Sequence, residues 1–187
     1  MNSADFHARF QLKPVLSTRP LFGKNMKQAA VLIPMVERNN QLNIVFTQRA
    51  LHLKHHPGQI SFPGGRIEMA DSSPQAAALR ETAEEIGIDA ERINIIGRLN
   101  QYHTTSNYMV QPFVGFVDAD YSITIDENEV SDVFEVPIKH FLQRENRHQL
   151  RVQKSRRHYN VHFMPWHDKM IWGVTAVMLN DLIKQIQ

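Results

Sequence analysis

Between residues 76 and 90 the chain reads Ala-Ala-Ala-Leu-Arg-Glu-Thr-Ala-Glu-Glu-Ile-Gly-Ile-Asp-Ala, so three glutamates and an arginine crowd one helix-forming run downstream of a Gly64-Gly65 pair. On a helix, residues three and four apart are neighbours. Glu81, Glu84 and Glu85 therefore project from one side and can reach the same cation. Helix stability gives no reason for the arrangement, because like charges at these spacings repel by about 0.2–0.5 kcal/mol per pair. A solvated helix face has the same composition, and the pattern alone does not separate the two readings.

Ligand type narrows the choice of ion. Clustered carboxylates in a chain with no cysteine suit magnesium or manganese better than zinc or copper. An ion so placed neutralises pyrophosphate oxygens, orients a leaving group and acidifies water. The helix punctuation agrees: Ser73 is a favourable N-cap, Pro74 fits the first helical position, the alanines of 76–78 favour helix, and Gly87 ends it. Leu79, Ala83 and Ile86 recur at helical spacing and are expected to dock the helix on a sheet while the glutamates face a cleft.

Gly65, Arg80-Glu81, Glu84-Glu85 and Gly87-Ile88 together resemble the signature of the Nudix hydrolases. Two departures stand out: fourteen residues rather than thirteen separate Gly65 from Arg80, and Thr82 stands where an aliphatic residue is usual. The one-residue expansion is characteristic of the coenzyme A pyrophosphatase branch, which also carries a second motif just upstream. The stretch Val45-Phe46-Thr47-Gln48-Arg49-Ala50-Leu51-His52-Leu53-Lys54-His55-His56-Pro57-Gly58-Gln59-Ile60-Ser61-Phe62-Pro63-Gly64-Gly65 resembles that motif, with Arg49, Leu53, His56, Gly58, Gln59 and the run Phe62 to Gly65 matching outright. Similarity continues more weakly through Glu127-Asn128-Glu129-Val130 and Trp172-Gly173-Val174-Thr175-Ala176.

The resemblance implies an α/β fold, the Nudix α/β/α sandwich around a mixed central sheet. It implies that Glu81, Glu84 and Glu85 bind Mg2+ or Mn2+, with Glu81 in some relatives also helping to deprotonate the attacking water. The Gly65 carbonyl is expected to face the metal, and Arg80 to orient a glutamate by a bidentate contact that lysine would not reproduce. The acid usual midway along the loop is Asp71 counting from Gly65 and Ser72 counting back from Arg80, and neither is assigned a ligand role. A further catalytic carboxylate is expected from a loop. Glu129 is the candidate, with Glu127 its rival. Arg49, Lys54, His56, Gln59 and Gly64 form the expected substrate wall, and His52 and His55 are expected to be surface residues. The implied substrate is coenzyme A or a related nucleotide diphosphate, cleaved to 3',5'-ADP and 4'-phosphopantetheine. A Nudix hydrolase acting on ADP-ribose or a dinucleotide is the first alternative, and a non-enzymatic nucleotide or RNA binder the second.

A chain of 187 residues with 42% hydrophobic content supports one domain with a real core. The expected division is an N-terminal arm over 1–27, mixed, polar and loosely packed, and a hydrolase domain over 28–187. Absence of cysteine excludes disulfides and zinc thiolates, and with no apolar leader at the N-terminus a cytoplasmic location is expected. No run of eighteen apolar residues suggests a membrane-spanning helix.

Charge is uneven: 117–138 holds seven acids and no lysine or arginine, whereas 139–158 holds seven Lys/Arg and the single acid Glu145. The basic run Lys154-Ser155-Arg156-Arg157-His158 could meet RNA or the 3'-phosphate of coenzyme A, but it suits a solvated hairpin end better, because short basic runs without stacking aromatics are poor evidence for nucleic-acid binding. Strands are predicted at 29–36, 42–47, 93–99, 109–117, 122–125 and 133–136, with a hairpin of 159–164 against 169–172 and an amphipathic helix over 173–187. Whether the molecule forms a homodimer is left open by the sequence.

Overall fold

The computed structural model describes residues 1–12, 26–154 and 157–187. Residues 13–25 of the expected arm, and Ser155 and Arg156 of the basic run, lie outside these. In chain order the elements are α1 (Ser3–Leu12), β1 (Lys27–Arg38), β2 (Gln41–Arg49), β3 (Ile60–Ser61), β4 (Gly64–Arg66), α2 (Pro74–Ile86), β5 (Ile93–Arg98), β6 (Tyr102–His103), β7 (Tyr108–Val117), β8 (Val130–Pro137), α3 (Ile138–Leu142), β9 (His148–Lys154), β10 (Arg157–Trp166), β11 (Lys169–Trp172) and α4 (Gly173–Ile186).

Long apolar runs in β1 and β7 bury both faces of those strands, which is what puts them at the centre of a sheet covered on both sides. They pair in parallel from Lys27↔Tyr108 to Val36↔Val117, and every other pairing in that eight-stranded sheet is antiparallel. Alternation then sorts the side chains. Ile33 joins Phe46, Phe62 and Phe141 with α1 and α4 on one face, and Leu32 joins Ala77, Ala78 and Ile86 of α2 on the other. The outcome is the α/β sandwich with a mixed sheet that the sequence leads one to expect. A smaller antiparallel sheet, ordered β11-β10-β9, leans on α4 through Met164 and Ile171. Among the described residues no helix is long and apolar enough to cross a membrane.

Three expectations need correction. Residues 3–12 are not part of a loose arm: Phe6 and Phe10 are buried in the core and their rings stack 5.8 Å apart. Residues 122–125 form no strand. Their backbone is spent on α2, with Thr124 N donating to Ile86 O at 3.0 Å and Asp126 N to Glu85 O at 3.1 Å, satisfying carbonyls that a helix end leaves without partners. The stripe of α2 that docks is centred on Ala77, Ala78, Thr82, Glu85 and Ile86, so of the expected set Ile86 is buried, Leu79 packs half-buried at the stripe's edge, and Ala83 is only half-buried. Thr82 tolerates burial because its hydroxyl donates to Ala78 O at 2.7 Å. The hairpin of β10 and β11 stands as expected, but β10 also pairs with β9, which the basic run concealed.

Candidate active site

Gly64 and Gly65 lie in β4, opposite Val31 and Ala30 of β1. Gly64 has φ +148°, and a Cβ there would collide with the Ala30 carbonyl and the Val31 backbone. At Gly65 the space a Cβ would need is already filled by the Glu81 carboxylate, so glycine lets that side chain lie against the strand. The sheet brings up the turn, and α2 lays its acids across it.

Both ends of α2 are set by the residues expected. The Ser73 side chain accepts from Ala76 N at 3.1 Å, Pro74 begins the helix, and Gly87 closes it at φ +74° with its N–H on Ala83 O. The docking stripe then carries Glu85 inward. Glu85 is 4% exposed, and its Oε2 accepts a 3.3 Å bond from Gly64 N. Burial pushes its carboxyl up to about 8; the Gly64 N–H pulls the other way, the neighbouring Glu129 and Glu81 charges push further, and Arg49 offsets them in part. Glu81, with a side chain 15% exposed, is raised by burial and by Glu84 and Glu129, against the Arg80 contact. Glu84 is the outward member, its side chain 59% exposed. Glu81, Glu85 and Glu129 thus share one electrostatic space.

Arg80 is the hub of this face, and its bidentate contact is to an aspartate. Nε donates to Asp71 Oδ1 at 3.0 Å and Nη2 to Asp71 Oδ2 at 3.1 Å. Nη1 bridges Glu81 at 2.9 Å and Glu84 at 2.7 Å, and Nη2 also reaches Arg66 O at 3.2 Å. Asp71, whose side chain is 4% exposed, is therefore the partner that counting along the loop left undecided. The Arg80 guanidinium, and then the Glu68 N–H, hold its carboxyl below the ordinary aspartate range. The signal was its spacing from Gly65: the extra residue falls after Asp71, before the helix cap.

Of the expected substrate wall, Gly64 and Arg49 stand at the acids, Gly64 through its bond to Glu85 and Arg49 through its field on the same group. Gln59 is drawn in by the backbone, its carbonyl accepting Arg49 N at 3.0 Å while Gly58 N returns to Arg49 O at 3.1 Å. Lys54 and His56 lie exposed on the loop that these bonds close, His56 at φ +55°. Glu129 is exposed, and its carbonyl accepts Ala50 N at 2.8 Å, which stitches the acidic run to the same loop.

Among the described residues no three acidic or histidine side chains close on a single point. Arg80 Nη1 engages one carboxylate oxygen each of Glu81, Oε1, and Glu84, Oε2. The donor set fits a hard divalent cation. Its oxygens are all carboxylate or carbonyl, and Glu85 is a buried acid with no ion pair among the described residues, so its charged form is costly there unless a cation arrives.

The NUDIX domain model matches residues 26–159. Proteins named uncharacterized Nudix hydrolase NudL from Enterobacter sp. (strain 638) and Escherichia coli (strain K12) are each 39% identical to this chain, over 97% of it and 93% of their own length. Among solved structures, a C. elegans Ap4A hydrolase binary complex superposes with a TM-score of 0.52 at 17% identity, over 59% of this chain and 80% of its own. The Nudix hydrolase RenU from M. smegmatis gives a TM-score of 0.52 at 14% identity, over 63% and 82%. At such identities these two attest the fold.

Proposed function

Because the chain belongs to the Nudix hydrolase family, we propose that its acidic cleft is a metal-dependent pyrophosphohydrolase site cleaving coenzyme A or its derivatives to 3',5'-ADP and 4'-phosphopantetheine. The observation that carries the reading is Glu85, a buried acid bonded to the Gly64 N–H of the glycine turn and pushed up to about 8 by burial, with the charges of Glu129 and Glu81 pushing further. Such a group is costly to keep for packing alone and useful for holding an ion against a diphosphate.

In this reading Glu81, Glu84 and Glu85, with the Gly65 carbonyl, hold Mg2+ or Mn2+, whose contribution is to neutralise charge on the diphosphate. The chain's own groups do the rest. Arg80, tied to Asp71, orients Glu81 and Glu84. Glu129, exposed beside the two inner acids, takes a proton from the attacking water. The water oxygen bonds to one phosphorus as the bridging oxygen leaves with the other. Arg49, Lys54, His56, Gln59 and the Gly64 backbone bind the phosphates and the rest of the substrate. Gly64 and Gly65 let this strand lie close against β1 and let the Glu81 carboxylate lie against the strand.

Support for coenzyme A in particular comes from the stretch 45–65, whose basic and protonatable groups stand on the loop joined to Glu129. The test is release of 3',5'-ADP from coenzyme A with manganese, abolished in Glu85→Gln with the circular dichroism unchanged. A panel of coenzyme A, ADP-ribose and a dinucleotide ranked by kcat/KM decides the substrate, since specificity is a ratio of those values. A higher ratio for ADP-ribose or the dinucleotide transfers the assignment to that class.

A further inference from the structure

The loop between β7 and β8 is bonded to three separate parts of the fold, two of them at the cleft. Its Thr124 and Asp126 N–H groups cap the last carbonyls of α2, Ile86 O and Glu85 O. Its far end meets the loop after β2, where Ala50 N donates to Glu129 O at 2.8 Å and the His52 Nε2 lies 3.1 Å from Asn128 O. Its near end is fixed by Tyr121, whose hydroxyl donates to Glu135 at 2.8 Å beneath the Arg38 guanidinium, 5.1 Å above the ring.

Between those anchors the chain makes one tight turn, and a single residue holds it. The Asp126 carbonyl accepts from Glu129 N at 3.0 Å and from Val130 N at 2.9 Å. Its Oδ1 accepts from Asn128 N at 3.0 Å and from Asn128 Nδ2 at 2.8 Å. The same residue thus grips the backbone of Glu85 on one side and that of Glu129 on the other. Its backbone bonds survive any side-chain change except to proline. What distinguishes aspartate here is the acceptor that fixes the turn through Asn128, an Asx-type closure.

We infer that Asp126 is a positioning residue for hydrolysis: its side chain closes the turn that sets Glu129 at the right separation from Glu85. This rests on the assignment of those two glutamates to the reacting cleft. Glu129 is exposed, so the turn, rather than surrounding packing, determines where its carboxylate stands. Without the Oδ1 acceptor the turn loosens, and Glu129 samples positions in which it no longer meets the water. The acceptor matters, not the charge, so asparagine serves in its place.

The experiment is a cycle of Asp126→Ala, Asp126→Asn, Glu129→Gln and the Asp126→Ala/Glu129→Gln double variant, assayed with manganese on whichever of coenzyme A, ADP-ribose and a dinucleotide the unmodified protein turns over. Asp126→Ala is expected to lower kcat by about tenfold or more with KM changed less than about threefold, because it misplaces Glu129, a group that acts in the transition state rather than in substrate binding. Asp126→Asn is expected within about threefold of the unmodified protein, and the double variant no slower than Glu129→Gln alone, since residues acting through one another are not additive. A kcat within about twofold in Asp126→Ala, no rescue by asparagine, or fully additive losses overturns the proposal. If Asp126→Ala does not fold, Asn128→Ala removes the Nδ2 donor of the same turn while keeping the backbone one, and it is expected to lower kcat in the same direction, to a smaller extent, and to add nothing to Glu129→Gln. If no substrate in the panel is hydrolysed, the functional reading has failed. The turn is then tested by amide hydrogen exchange at Asn128 and Glu129, where Asp126→Ala must speed exchange and Asp126→Asn must not, and unchanged exchange in Asp126→Ala overturns it.

Discussion

Gly64 and Gly65 are adjacent, yet an added methyl group would do different damage at each. At Gly65 the three atoms it meets first all belong to the far end of the Glu81 side chain, which can swing away. Gly65→Ala is therefore expected to keep its melting temperature within a few degrees while losing about 10²-fold in kcat, the scale of a catalytic group displaced by about 1 Å. At Gly64 the methyl meets the Ala30 and Val31 backbone in a conformation foreign to other residues, so Gly64→Ala is expected to lower the melting temperature first. Thermal melts beside steady-state kinetics separate the two. Asp71 offers a pH test on the same face. Its carboxyl is held below the ordinary range by Arg80, so its stabilising contribution is present above that range and is lost as pH falls through the lowered value. Asp71→Asn should thus melt lower than the unmodified protein at neutral pH, with the gap closing in strong acid. A gap of constant size from neutral pH to acid would show that the ion pair is not its source.

At the scale of one element, α2 shows what sequence carries and what it does not. Its ends are legible because caps are local: Ser73 needs only the amide of Ala76, and Gly87 only its own left-handed backbone. Ser73→Ala should cost about 1 kcal/mol, read as a fall of roughly 2–4 °C in the melting temperature. A loss within measurement error would mean that tertiary packing, not the cap, holds this end. The helix's rotation is not legible, because a threonine that satisfies its own hydroxyl within the helix passes for apolar, and helical spacing alone does not reveal it. The same limit hid Asp71, whose partner is nine residues on, and turned 122–125 from a predicted strand into the cap of α2. Patterns report what an element could pair with, while the fold decides what it does. The acids of α2 were within reach of sequence since one helical turn holds them; Glu129 was reachable only as one acid among several.

Across the whole molecule, the sheet divides two jobs. One face, with α2, carries the acids; the other, with α1, α3 and α4, carries most of the large buried side chains. The N-terminal segment reads as a loose arm since two phenylalanines in a polar stretch make a weak periodic signal, but burial of both turns α1 into a wall of that second core. Phe6 is 0% exposed and packs its ring on Phe10 and, edge-on at 6.1 Å, on Phe116. Phe6→Ala should then cost about 3–5 kcal/mol, the range for emptying an aromatic site in a core, and lower the melting temperature by roughly 10 °C. Because Phe6 is separated from Glu81, Glu85 and Glu129 by the thickness of the sheet, kcat per folded molecule, measured well below the new melting point, should stay within about twofold of the original. Stability and turnover falling together would mean that the two faces are mechanically coupled, and that α1 helps to hold the strands from which Gly64 and Gly65 face the acids.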